Sequence, residues 1–102
     1  MAAPSFDVQR TDTEVRVAVR GSLDINTASQ LAEEIDRVLV TKPKKVVCDL
    51  SALDLIDSSG VAALVKLYKG IRGHGGHVEM TGARDQPLAI FKLLRMDKVF
   101  NL

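Results

Sequence analysis

Val46-Val47-Cys48-Asp49-Leu50-Ser51, followed a few residues on by Leu55-Ile56-Asp57-Ser58-Ser59-Gly60-Val61, decides how the rest of this chain is read. Val46, Val47, Cys48 and Leu50 make an almost unbroken apolar run, the pattern of a strand covered on both faces, as in parallel sheets. From Val61 onward, Leu64, Val65, Tyr68 and Ile71 recur at helical spacing while Lys66, Lys69 and Arg72 lie outside that stripe. Asp57-Ser58-Ser59-Gly60 therefore sits where a strand and loop hand over to a helix. The first N–H groups of a helix lack intrahelical partners, and the aligned peptide dipoles favour negative charge there. Two consecutive hydroxyls at that place suit a capping side chain, a bound anion or a phosphoryl group on serine.

Upstream, Val15, Val17 and Val19 share one face of an alternating run over Glu14 to Arg20, with Arg16 and Arg20 on the other. Phe6 to Arg10 reads as a partner strand, and Thr11-Asp12-Thr13 supplies the polar turn of an antiparallel hairpin. Met1 to Pro4 reads as a short flexible lead-in. Thr27 to Gln30 has the spacing of a capping box. Ala28, Leu31, Ala32, Ile35, Val38 and Leu39 then follow helical spacing, and Pro43 marks the stop. Downstream, Gly73, Gly75 and Gly76 end the second helix, Val78 to Thr81 reads as a strand, and Asp85 or Gln86 ahead of Pro87 starts a helix carrying Leu88, Phe91 and Leu94. The alternating tail Val99-Phe100-Asn101-Leu102 either adds a last short strand or packs. The expected fold is α/β: a compact domain with a mixed sheet of four to five strands, an N-terminal antiparallel hairpin then parallel strands, packed with three to four helices. Asp24, closing Gly21-Ser22-Leu23-Asp24, and Asp57 both fall at strand-to-helix junctions, on one edge of that sheet.

Bulk properties narrow the function classes. A chain of 102 residues is expected to be one domain over residues 1–102. At this length folding buries somewhat over ~60% of the unfolded chain's surface, enough for stability without staples. A net charge of +1 gives no electrostatic reason to expect nucleic acid or an acidic membrane as partner. Phe6, Tyr68, Phe91 and Phe100 form no basic–aromatic stripe for stacking bases. Cys48 is the one cysteine, so an internal disulfide is impossible, and neither a signal peptide nor a membrane-length apolar stretch is visible. These features point to a reducing, cytoplasmic location.

Competing chemistry is poorly served. His74 and His77 flank a glycine turn without further ligands at metal-binding spacing. Gly70 through Gly76 lacks the lysine–hydroxyl ending of a phosphate loop and closes a helix rather than opening one. A serine hydrolase needs a base near Ser58, yet both histidines lie past the far end of its helix, ~20 Å away at 1.5 Å per residue. Lys42, Lys44 and Lys45 read as a solvated turn. No metal and no cofactor is expected.

Gly21-Ser22-Leu23-Asp24, Val46-Val47-Cys48-Asp49-Leu50-Ser51 and Leu55-Ile56-Asp57-Ser58-Ser59-Gly60-Val61, in that order and at that spacing, resemble the STAS domains, specifically the stand-alone anti-sigma factor antagonists. The resemblance runs over nearly the whole chain. It implies a non-catalytic, partner-switching phosphoprotein in which Ser58, directly after the motif aspartate, is the phosphoacceptor, with Ser59 as the second choice. It implies two partners, an anti-sigma factor that is itself a serine kinase and a serine phosphatase. The unmodified form binds the kinase; the phosphorylated form is released. Asp24, Asp57, Ser59 and Gly60 would shape the docking edge, and Lys66 and Lys69 on the second helix would extend it. Two departures stand out: Ala62 where many antagonists have a second glycine, and Leu94-Arg95-Met96-Asp97-Lys98 without the family's common glycine. The alternative from another class is a STAS subunit of a transport or stress-signalling complex with no sigma-factor phosphorylation cycle.

Overall fold

A computed structural model describes residues 6–102, so the expected lead-in over Met1 to Pro4 lies outside the described residues. The order is β1 (Phe6–Arg10), β2 (Val15–Leu23), α1 (Ile25–Val40), β3 (Lys45–Ile56), α2 (Ser58–Gly73), β4 (His77–Thr81) and α3 (Asp85–Leu93). The sheet order is β1-β2-β3-β4, with β1 antiparallel to β2 and the remaining pairs parallel. Thr11 closes the hairpin: its N–H donates to Glu14 O at 2.9 Å, and its hydroxyl accepts from Glu14 N at 3.1 Å. The expected mixed sheet is therefore present, with four strands and three helices among the described residues.

The three helices contribute to one core. Val15, Val17 and Val19 of β2 and Val46, Cys48 and Leu50 of β3 meet Leu31, Ile35 and Val38 of α1, Leu64, Leu67 and Ile71 of α2, and Phe91 of α3. Each such buried aliphatic or aromatic side chain contributes about 1.5–3 kcal/mol. The opposite sheet face is open, with Asp7, Gln9, Arg16 and Asp49 lining a shallow groove. Over its apolar run β3 is nonetheless buried on both faces as expected, with Val46, Val47, Cys48 and Leu50 at most 4% exposed. Val47 is buried outside the main core, flanked in register by Arg16 and Glu79. Cys48 lies on the core side, where burial and then the charge of Asp49 push its thiol up to about 12, so it stays protonated.

β3 is longer than its apolar run suggested. Between Asp49 and Leu55 it carries two residues more than β2 over the same pairing, with register shifts between Ala18 and Arg20 and between Gly21 and Ser22. Such bulges bend a strand and break its period of two. The inward positions become Leu50, Leu53 and Ile56, a spacing of three that reads as loop in sequence. Gly21 takes a positive φ of 71° at the second irregularity, a conformation glycine adopts without steric cost.

The remaining differences are local. α1 begins at Ile25, three residues before the position expected from Thr27–Gln30: the cap is Asp24, and Thr27 is the third helical residue of a box that opens three residues earlier. The tail makes turns rather than a fifth strand, and Phe100 packs edge-on against Phe91 with ring centroids 5.5 Å apart. Leu94, assigned above to the apolar face of the third helix, caps its end and is 51% exposed. Arg95, in the stretch that lacks the family glycine, has a φ of 59°. The left-handed bend is kept there without the residue best suited to it. Arg95→Val, adding a β-branch at that φ, is expected to lower stability by about 1–2 kcal/mol, whereas Arg95→Gly folds at least as stably as the parent; denaturant melts check both.

Candidate functional site

Two strand-to-helix junctions, β2 to α1 and β3 to α2, lie side by side at one end of the sheet. At the first, Asp24 Oδ1 accepts from Asn26 N at 3.0 Å and Thr27 N at 3.1 Å. Thr27 Oγ1 in return accepts from Asp24 N at 2.9 Å and donates to Ser22 O at 2.8 Å. These bonds, led by the one from the Thr27 amide, hold the Asp24 carboxyl below its ordinary value of 3.8. At the second junction, Asp57 Oδ1 accepts from Gly60 N at 3.1 Å. Asp57 N donates to Leu23 O at 3.2 Å, stitching the two junctions together. Asp24 and Asp57 accordingly line one cleft, with Ser22, Leu23, Leu55, Ile56 and Gln86.

This geometry separates two uses that sequence left open. Capping falls to Asp57, and Ser58 is the first residue of α2 with its side chain exposed. Ser59 is half-buried and faces the groove between α1 and α2, among Ala28, Ala32, Ala62 and Ala63. Gly60 is fully buried for a steric reason: a Cβ there would lie 2.6 Å from Leu23 O and 2.7 Å from the Ile56 side chain. The helix can seat this closely on the sheet only with a bare Cα.

The structure brings together Asp24, Asp57, Ser58, Ser59 and Gly60. Lys66 lies two turns along α2, where its Nζ is 2.7 Å from Asp36 Oδ1 of α1; Lys69 is exposed further from the junctions. Lys66 thus ties the two helices, and its ammonium is shared with Asp36. His74 ends α2 with Nε2 2.8 Å from Pro43 O, at the pole opposite Ser58. Three contributors escaped sequence reading. Ile25 and Leu55 are large apolar side chains left 67% and 54% exposed beside the two acids. Gln86, read only as a helix start, reaches back to Ile56 at the exit of β3. A glutamine immediately before the helix proline was the one available signal.

The family model described as "Mlab, STAS domain" matches residues 6–102, and the chain belongs to that STAS family. It is 21% identical over 99 residues to the anti-sigma-B factor antagonist of Listeria monocytogenes, covering 96% of this chain and 87% of that one. Its fold matches an anti-sigma factor antagonist from Mycobacterium paratuberculosis at a TM-score of 0.80 and 28% identity, over 98% of this chain and 87% of the other. It also matches the Bacillus cell fate determinant SpoIIAA in its phosphorylated form, at a TM-score of 0.76 and 17% identity, over 91% and 86% of the two chains.

Two outcomes follow. Gly60→Ala is expected to cost about 1–3 kcal/mol through overpacking against the Leu23 carbonyl, read from urea melts. Because the folded Asp24 carboxyl is depressed, its stabilising effect is complete above its ordinary value of 3.8 and fades as pH falls through that value and below. Asp24→Asn, which keeps a capping oxygen but cannot titrate, should show a flatter loss of melting temperature between about pH 5 and pH 2.5.

Proposed function

We propose that this chain is an anti-sigma factor antagonist switched by phosphorylation on Ser58. Unmodified, it binds an anti-sigma factor that is also a serine kinase; once phosphorylated it is released, and a serine phosphatase resets it. The single observation that carries the reading is the division of labour at the α2 N-terminus. Asp57 supplies the cap, which leaves the exposed Ser58 hydroxyl free of structural duty. The Listeria relative bears the antagonist name, and the SpoIIAA structure is of a phosphorylated protein on the same fold.

The physics supports exclusion rather than refolding. Phosphate adds about −1.5 to −2 charges at neutral pH. Within the chain, the dipole end of a 16-residue helix tolerates that charge. Against a docked partner the same group is desolvated beside Asp24 and Asp57. Like charges brought together across an interface cost several kcal/mol, and ~1.4 kcal/mol is already tenfold in affinity. Exposed Ile25 and Leu55 supply apolar contact around this charged centre, Ser59 and Gly60 shape its floor, and Lys66 and Lys69 extend it along α2. In this reading the protein is a non-catalytic module, one STAS domain over residues 1–102. It works in the cytoplasm without nucleic acid, metal or cofactor of its own. Among the described residues no helix is long and apolar enough to cross a membrane.

The test is incubation with a candidate anti-sigma factor kinase, ATP and magnesium, followed by intact-mass and peptide mass spectrometry. Wild type gains one phosphate, on Ser58, and Ser58→Ala gains none. Label on Ser58→Ala moves the acceptor to Ser59 or elsewhere. No label from any such kinase contradicts the cycle and favours the transport-subunit alternative.

A further inference from the structure

β3 outruns its neighbour on one side. β2 follows it to Ile56, but β4 pairs only with Lys45 to Asp49 and ends at Thr81. Beyond Asp49, the edge of β3 that faces β4 has no strand beside it among the described residues. At Ile56, the last residue of β3, one side chain takes the place of the missing strand. Gln86 Oε1 accepts from Ile56 N at 2.9 Å, and Gln86 Nε2 donates to Ile56 O at 3.0 Å. A primary carboxamide carries a donor and an acceptor and so reproduces what a paired peptide group offers an edge. These bonds are partly buried and close 30 positions of sequence, where an unpaired backbone group would be expensive.

The next residue is Asp57, whose N–H is held from the other side by Leu23 O at 3.2 Å. The peptide leading into Ser58 is therefore clamped between β2 and the first turn of α3. That turn is itself anchored. Pro87 and Phe91 are buried, and Phe91 meets Phe100 edge-on. Arg84, just ahead of α3, donates from Nε to Ser51 O at 2.9 Å and from Nη2 to Asp54 Oδ1 at 3.3 Å, pinning the same stretch of β3.

We propose that Gln86 is the positioning residue for the Ser58 turn: its carboxamide fixes the exit of β3 so that the acceptor hydroxyl meets an incoming kinase in one geometry. The proposal rests on Ser58 being the acceptor. Gln86 does not touch the phosphate; it acts through Ile56 and Asp57. A misplacement of about 1 Å at a reacting atom can cost on the order of 100-fold in rate. The effect belongs in kcat, because the docking edge itself remains.

The test compares wild type, Gln86→Met, Gln86→Glu and Phe100→Leu as full chains. Gln86→Met keeps length and removes both hydrogen bonds. Gln86→Glu keeps the acceptor for the Ile56 N–H and loses the donor. Phe100→Leu loosens α3 but spares the carboxamide, which makes it the control for simple destabilisation. Amide hydrogen exchange by NMR needs no partner: Gln86→Met should accelerate exchange at Ile56 and Asp57 tenfold or more, with Val46 and Cys48 within twofold of wild type. Gln86→Glu should show a smaller rise. In phosphorylation by an anti-sigma factor kinase that labels the wild type, Gln86→Met should lose tenfold or more in kcat with KM within twofold, and Phe100→Leu should not. Unchanged exchange at Ile56 and Asp57, unchanged kcat, or equal losses in Gln86→Met and Phe100→Leu would each overturn the proposal. Should Gln86→Met fail to fold, Gln86→Glu carries the same comparison. A folded wild type that takes no phosphate on Ser58 overturns the acceptor reading instead, and the exchange data still decide whether Gln86 holds the turn.

Discussion

The first turn of α2 is pressed onto the end of β2, and this contact sets the shape of the edge formed by the two strand-to-helix junctions. One carbonyl, that of Leu23, accepts the Asp57 N–H and also lies where a Cβ on Gly60 would intrude. Because the helix sits so close, its capping residue and its first hydroxyl are held against the neighbouring junction. The Asp24 cap of α1 sits beside the Asp57 cap of α2 as a consequence, and Ser58 is turned outward. A bulkier residue at position 60 would have to lift the helix, and with it the geometry of both acids. Overpacked contacts against backbone have no flexible side chain to yield, which makes this position one of the least forgiving in the chain.

Much of this arrangement was legible in sequence because short-range chemistry coincided with tertiary need. The alternation of Val15, Val17 and Val19, the helical stripe beginning at Val61, and the glycines closing α2 each named an element and its inward face. Asp24 and Asp57 could be placed at junctions because the patterns on either side changed period there. What escaped depended on partners far away in sequence. The second half of β3 looked like a loop because its bulges move the inward residues to Leu50, Leu53 and Ile56. The start of α1 was misplaced because Thr27, a good cap by type, is bonded as the reciprocal member of a box owned by Asp24. The role of Gln86 required knowing that β4 stops at Thr81 and leaves the edge of β3 open.

The capping assignment carries a functional consequence. A serine used as a cap gives up its hydroxyl to the backbone, and its modification would threaten the helix. Here an aspartate takes that duty through a single oxygen, and the serine next to it is spared. On the proposed reading, phosphate would then come and go at the positive end of α2 at little cost to the fold, while the surface offered to a partner would change from two acids to a dense cluster of negative charge. One residue holds the helix, and its neighbour is left free for the proposed modification.

The central claim is that phosphate on Ser58 blocks the partner by local charge and bulk while the domain stays as it is. The most direct measurement is calorimetric titration of the anti-sigma kinase with unmodified and Ser58-phosphorylated protein, paired with backbone amide NMR spectra of both forms. The account predicts an affinity at least 100-fold weaker for the phosphorylated form, with chemical-shift changes confined to residues around the two junctions. Equal affinity of the two forms would contradict it, as would weakened binding accompanied by shifts throughout the sheet and core.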